Sequence, residues 1–224
     1  MVKAILSWSS GKDSAMALYR ILSAKGYEIV CLLTTITDQF HRVSMHGVRE
    51  ELLDAQAESL GYPLEKVMIP YPCPNQVYEE KMANVLSAWK VKDVRSVIFG
   101  DLFLADIRKY RGEKLAQINM EPVFPLWMSD TKQLAWEILK TGFRAVITCV
   151  DPKKIAPAFA GRFFDETFLR SVPPQADPCG ENGEFHTFVY DGPIFKRPIS
   201  VRVGETVTRD GFVFADVTRM GSSS

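Results

Sequence analysis

The sequence has no surplus of charge of either sign. Its Lys and Arg number 27 and its Asp and Glu number 27, which removes the net electrostatic pull that draws proteins to nucleic acid or to membrane surfaces. Cysteine is scarce: Cys31, Cys73, Cys149 and Cys179 form no C-x-x-C pair, and the three histidines, His41, His46 and His186, are scattered. That is poor material for a structural zinc site. Cys31 and Cys149 lie inside apolar runs and read as small core residues. No run approaches the ~18–20 apolar residues needed to cross a bilayer, and the opening MVKAILSW has no small-residue cleavage site. Internal repeats and low-complexity tracts are also missing. The cytoplasm is therefore the expected compartment, with nucleic acid disfavoured as a partner. The closing Gly-Ser-Ser-Ser reads as a frayed end.

What the 224 residues do contain is alternation. Short β-branched runs at 2–8, 28–37, 65–69, 95–101 and 143–150 are separated by segments of helical period at 12–25, 45–60, 75–90, 104–119 and 129–141. A brief extended segment falls at 121–127. Gly26 is expected to close the first helix, and Ser129 or Asp130 to open the last one. The run EIVCLLTTIT is apolar almost throughout, as in a strand buried on both faces of a parallel sheet. This pattern predicts an α/β fold with a doubly wound, mostly parallel, Rossmann-like sheet. After Asp151 five prolines fall before residue 180, and FHTFVY, ISVRVGETVTR and GFVFADVTR then read as antiparallel strands. A boundary is expected near residue 150, with the parallel-sheet domain at 1–150 and a small C-terminal α+β region at 151–224.

The strongest local signal is SWSSGKDSA, residues 7–15. A strand ends, the small residues Ser9, Ser10 and Gly11 follow, and a helix begins near Lys12. Small residues let a backbone approach a ligand closely, and a helix start points unpaired N–H groups outward to bind phosphate. Ser14 adds a hydroxyl and Lys12 a positive charge. Asp13 fits an anion site when a divalent cation, normally Mg2+, bridges it to the phosphates. The segment is not a Walker A loop, since Leu6 stands where the first glycine belongs and Asp13 follows the lysine. A plain capped helix start is the bland reading of the same residues. If the strand order is 3-2-1-4-5, the loop after the fourth strand lies beside this one at the point where the order reverses. There Gly100 would allow a nucleotide to approach, and Asp101 would contact a ribose or an ion; a strand-ending turn is the alternative.

SSGKDS resembles the Ser-Gly-Gly-x-Asp-Ser signature of the PP-loop ATP pyrophosphatases, with Ser10 in place of the first glycine. The resemblance extends along the chain through MHGVREELL, through GDLFLADIRKYRGEKL to PLW, and through CGENGEFHTFVYDGPIF. In that order these strings are similar to the diphthine–ammonia ligase family. The resemblance implies that ATP adenylates a carboxylate, that of diphthine on elongation factor 2, and that ammonia displaces AMP to leave an amide. It also raises the functional odds of His46 and Arg49, read as i, i+3 neighbours facing an acceptor or a phosphate. Glu181, Asn182, Glu184 and His186 cluster on a glycine-bearing turn. Glu181, Glu184 and His186 are expected to act with Lys12 and Asp13 in catalysis, and Asn182 to contact the acceptor. A hairpin turn alone would also explain Asn182-Gly183. Two further readings stand beside the ligase: a PP-loop enzyme acting on a tRNA base or small metabolite, and an ATP-binding regulatory module with little turnover. A neutral surface with Met and aromatic residues permits a homodimer.

Overall fold

The structure, a computed structural model, describes residues 1–221; Ser222 to Ser224 of the expected frayed tail lie outside the described residues. Strand β1 (Val2–Ser7), helix α1 (Lys12–Ala24) and strand β2 (Tyr27–Thr37) make the first β-α-β unit. A two-residue β3 (Arg42–Val43) folds back on the end of β2. Then come α2 (Glu50–Leu60), β4 (Leu64–Ile69), α3 (Asn75–Val91), β5 (Ser96–Ile98), α4 (Ala105–Gln117) and β6 (Glu121–Val123). β2 pairs with β1 and β4, β1 with β5, and β5 with β6, all in parallel. Apart from the short β3 the order is thus β4-β2-β1-β5-β6, the expected 3-2-1-4-5, and it reverses between β1 and β5. Successive β1 residues serve opposite faces: Ala4 and Leu6 pack into one cluster, Ile5 into the other. That is the period-two geometry of a sheet covered on both sides.

Two helix ends differ from the sequence expectation. The second helix begins at Glu50, not near Met45, because Met45 and Gly47 hold φ of 63° and 68°, outside the right-handed helical region. Gly47 is needed there, since a Cβ at this position would lie 2.6 Å from the Phe214 ring. The first helix ends on Lys25, which takes the left-handed position (φ 55°) expected of Gly26.

The chain then changes sheets. Helix α5 (Thr131–Lys140) starts behind Asp130, whose carboxylate accepts from the Gln133 N–H at 2.9 Å. It leads into β7 (Arg144–Val150). A 3-10 turn at Pro157–Phe159 precedes β8 (Phe163–Phe164), α6 (Glu166–Ser171), β9 (Phe185–Asp191), β10 (Val201–Arg209) and β11 (Phe212–Arg219). β7 pairs antiparallel with β8, β9 and β11, and β10 completes the sheet through β11. The sequence reading groups 143–150 with the first sheet, so by sheet membership the change comes before Arg144 rather than after Val150. β6 is the edge of the first sheet: Glu121 N–H donates to Arg95 inside the sheet, so the next residue, Pro122, turns its ring nitrogen outward, as suits an edge strand. The β10–β11 turn is as expected, with Asp210 and Gly211 both at positive φ (53° and 83°), as a tight hairpin requires.

The two sheets share one core: Leu6, Trp8 and Leu18 belong to the same buried cluster as Ile147, Phe185 and Phe188. Among the described residues no helix is long and apolar enough to cross a membrane. A charged clamp also joins the sheets. Asp216 on β11 accepts from Arg49 Nε and Nη2 at 2.9 and 2.8 Å, and from Arg42 Nη2 at 2.9 Å. The Arg49 hydrogen bonds foremost, then Arg42, hold its carboxyl down at about 2. A depressed carboxylate contributes stability that is complete above its ordinary value of 3.8 and is lost as pH falls through about 2. Asp216→Asn is therefore expected to cost about 1–2 kcal/mol at neutral pH after solvent screening, with the difference fading toward pH 2. Urea unfolding of both proteins across pH measures it.

Candidate active site

The loop after β1 is held from three directions. Trp8 is buried, its Nε1–H donates to Gln56 Oε1 at 2.9 Å, and its carbonyl accepts from the Thr34 hydroxyl at 2.6 Å. Gln56 Nε2 donates to the carbonyls of Ser10 (3.0 Å) and Val189 (2.6 Å), and the Val189 N–H donates to Ser10 O at 2.9 Å. Ser10, standing where the PP-loop signature has glycine, keeps the glycine-like conformation with φ 70°. Such a residue costs on the order of 1 kcal/mol and persists where its surroundings over-determine it; the two donors on its carbonyl do so. With Gly11 as the N-cap, the first hydrogen bond of α1 runs from Ala15 N–H to Gly11 O, so the amides of the residues before it, Ser14 included, have no partner within the helix. Ser10 Oγ is buried without a partner. Ser9 and Ser14 hydroxyls lie 3.2 Å apart beside it.

Lys12 and Asp13 do not both face the crevice. The Lys12 ammonium is buried, 2.9 and 3.1 Å from the Asp13 carboxylate oxygens, and donates to the Cys179 carbonyl. Its neighbours include the rings of Phe185 and Phe164, at 5.2 and 5.7 Å. Burial works to lower its pKa, but the Asp13 charge leads the contributions that leave it raised. Burial likewise pushes Asp13 above 3.8 against the pull of Lys12. Lys12, expected at the phosphates, is thus turned inward, tying α1 to the turn that precedes β9. Asp13 keeps 28 % of its side chain exposed and is the member of the pair that faces outward.

Gly100 follows β5, and its lack of a side chain serves the protein's own backbone: a Cβ there would lie 2.9 Å from Asp13 C and 3.0 Å from Ser14 N. The expected nucleotide approach is in this sense a helix approach. Asp101 pairs with Arg111 at 3.2 Å, and burial raises its pKa. Glu181 reaches across from the second sheet's turn, where its Oε1 accepts from the N–H groups of Leu102 (2.7 Å) and Phe103 (3.4 Å). Burial first, with Asp13 and Asp101 adding their charge, pushes Glu181 up to about 7. Asp13, Asp101 and Glu181, from three separate segments, therefore converge.

On the other side of the loop the imidazoles of His46 and His186 stand 4.5 Å apart, centroid to centroid. His46 Cε1 is 3.0 Å from where a Gly11 Cβ would be. Burial lowers His46 to about 4 and holds His186 well below 6.5, so both rings are neutral at pH 7. Arg49 is not with them. It lies just before α2 rather than one helical turn along from His46, and it is engaged by Asp216. Glu184 and Asn182 turn into their own loop: Glu184 Oε1 accepts from Asp177 N–H at 2.9 Å and Asn182 Nδ2 at 3.2 Å, while Oε2 is buried without a partner.

Two residues at the loop were missed by sequence reasoning. Gln56 carried a usable signal, a fully buried amide four residues after Leu52 on an apolar helix face. Thr187, whose Oγ1 accepts from the Lys12 N–H at 3.1 Å, carried none, since threonine is ordinary in a strand. A cavity of about 640 Å3 lies elsewhere, between α3 and α4, with Phe99 and Arg111 in its lining.

A parallel sheet whose first strand ends in a small-residue loop and an open helix start, faced by carboxylates at the reversal of strand order, is the PP-loop class of ATP-using fold. The chain belongs to the diphthamide synthase family: the N-terminal domain model matches residues 2–118 and the C-terminal domain model residues 130–220. Curated relatives include the diphthine–ammonia ligases of Rattus norvegicus, 25% identical, and Homo sapiens, 27% identical. Each alignment covers 93% of this chain and 86% of the relative. A solved structure described as a predicted subunit of tRNA methyltransferase from Methanocaldococcus jannaschii is 16% identical with a TM-score of 0.40. It covers 71% of this chain and 84% of that one, a likeness too loose to carry an argument.

Gly100→Ala places a methyl group against main chain that has no room to yield. It is expected to cost about 1–3 kcal/mol of stability, as overpacking does, and to weaken ATP binding by displacing the start of α1. Urea unfolding and calorimetric titration with ATP read the two effects.

Proposed function

We propose that this protein is an ATP-dependent, AMP-forming ligase that converts a carboxylate to an amide with ammonia, with diphthine on elongation factor 2 as the acceptor. The observation that carries the proposal is the docking of the GENGEFHT segment onto the phosphate loop: Glu181 reaches Leu102 beside Asp101, and Thr187 meets Lys12. The family resemblance supplies the reaction; the contacts support a shared site for the two substrates.

The residues present fit a triphosphate. The Ser14 amide, one of the first N–H groups of α1, and the unpartnered Ser10 hydroxyl offer donors at a helix start, where the helix dipole also favours anions. Among the described residues no three His, Cys, Asp or Glu side chains group as metal ligands. Mg2+ would therefore take Asp13, with Asp101 beside it, and draw its remaining ligands from phosphate oxygens and water. ATP, when bound, supplies an adenylyl group that turns a poor electrophile, the carboxylate, into one with AMP as leaving group. The protein's part is positioning and charge stabilisation. Glu181, with its carboxyl near neutrality, takes the proton that the attacking ammonia must lose. His46 and His186, both neutral, offer ring nitrogens to the acceptor without adding charge. Asn182 and Glu184 shape the turn that presents Glu181, and their direct contact with the acceptor is part of the same proposal, as is a cytoplasmic location.

Chromatography of the reaction with the acceptor protein, ammonia, ATP and Mg2+ tests the assignment. AMP and pyrophosphate are the expected products; ADP as the main product would remove it, and tight ATP binding with no turnover would favour a regulatory module. Asp13→Asn is expected to weaken Mg2+-dependent ATP binding at least tenfold, about 1.4 kcal/mol. A base must be deprotonated to act, so activity should rise with pH through about 7. Glu181→Gln should abolish that limb and lower kcat by about a hundredfold. An unchanged pH–rate profile in this variant would remove Glu181 from the chemistry.

A further inference from the structure

Thr187 lies where the two sheets meet, and two of its atoms are committed to different partners. Its side chain is 1% exposed. Oγ1 accepts from the Lys12 N–H at 3.1 Å, bridging 175 positions of sequence. Its carbonyl lies 3.3 Å from His46 Nδ1. A carbonyl only accepts, so Nδ1 carries the proton and His46 Nε2 is left with its lone pair. Two residues further along β9, Val189 N–H holds Ser10 O, a second contact from the same strand to the loop. Both Thr187 O and Oγ1 also bound the space at Gly11, 3.1 and 3.3 Å from where a Cβ would stand. The Lys12 amide is one of the first N–H groups of α1, which in an unadorned helix start point at an incoming anion. Thr187 takes that amide out of the set and fixes the direction of the next ones.

We infer that Thr187 is a positioning residue of the ATP site. Its hydroxyl sets the start of α1, so that the remaining loop donors meet the phosphates, and its carbonyl sets the tautomer of His46 beside them. A strand of the acceptor-handling segment thereby holds the nucleotide loop in its working shape. This inference rests on the proposed use of ATP and deepens it. No direct contact between Thr187 and substrate is required.

Thr187→Val keeps shape and removes the hydroxyl, leaving a buried N–H without an acceptor; Thr187→Ser restores the hydroxyl. In the full chain, with ATP and Mg2+ as the titrant, the valine variant is expected to bind about tenfold more weakly than wild type. That corresponds to ~1.4 kcal/mol. Its KM for ATP should rise similarly while kcat stays within about threefold, and the serine variant should return both to within about twofold of wild type. A merely structural threonine would lower the unfolding temperature and the active fraction without moving the affinity of the folded molecules, and that result would overturn the assignment. So would valine binding as tightly as wild type or more tightly, or serine failing to rescue. Should the valine variant not fold, Thr187→Ala is read the same way. Amide hydrogen exchange then adds an independent reading: Lys12 protection should fall at least tenfold in the alanine variant, and unchanged protection overturns the inference. Wild-type protein that fails to bind ATP would overturn the functional reading and this inference together, whereas normal wild-type binding with an indifferent valine variant overturns this inference alone.

Discussion

The contact on which the site depends is the hydrogen bond from Val189 on β9 to the carbonyl of Ser10. It joins a strand of the second sheet to the loop of the first, and it does so at the residue whose backbone is least comfortable. With Gln56 donating to the same oxygen, the strained conformation of Ser10 is held in place, and with it the entry of the chain into α1. The first N–H groups of that helix are open as at any helix start, and the contact fixes where they point. The C-terminal region is accordingly not an appendage to a finished ATP domain, because it braces the loop.

Charge at the site follows from the same closure. β9 and the turn before it crowd Lys12, Asp13, Glu181 and the two imidazoles together, and burial drives the shifts of Asp13, Glu181 and both imidazoles while it opposes that of Lys12. Opposite outcomes arise from different neighbours. Lys12 keeps its charge because Asp13 lies within 2.9 Å, whereas Glu181 has backbone N–H groups on one side and two carboxylates on the other. A carboxyl near neutrality beside groups held firmly in one charge state is a common arrangement where protons are moved. The Arg42–Asp216–Arg49 clamp works by contrast at the rim, where solvent screens it, and holds the loop bearing His46 against β11.

Sequence alone was enough for the sheet and the loop. Period-two and helical hydrophobic patterns are local, and they specified most of the elements; the order of the strands entered only as a condition, which the pairing of β4, β2, β1, β5 and β6 meets. The run Ser9–Ser14 was legible for the same reason: the residues that form a phosphate loop are contiguous. The convergence of Glu181 with Asp101 was legible only as a cluster of ionisable groups awaiting a partner, and the resemblance to a family supplied the direction.

Tertiary structure decided the rest. β7 reads equally well as a strand of either sheet, since both of its faces are apolar, and only the partners that it finds in β8, β9 and β11 assign it to the second. Lys12 has a side chain long enough to reach forward to phosphate or back to Cys179, and the choice depends on a carbonyl 167 residues away. Arg49 was separated from His46 by the positive φ of Gly47, whose glycine is required by a phenylalanine on β11. Thr187 has no distinguishing mark in one dimension. What the sequence by itself determined was whatever depends on neighbours along the chain; orientation, charge state and partnership at the site depend on neighbours across it, and those exist only once the second sheet closes over the first.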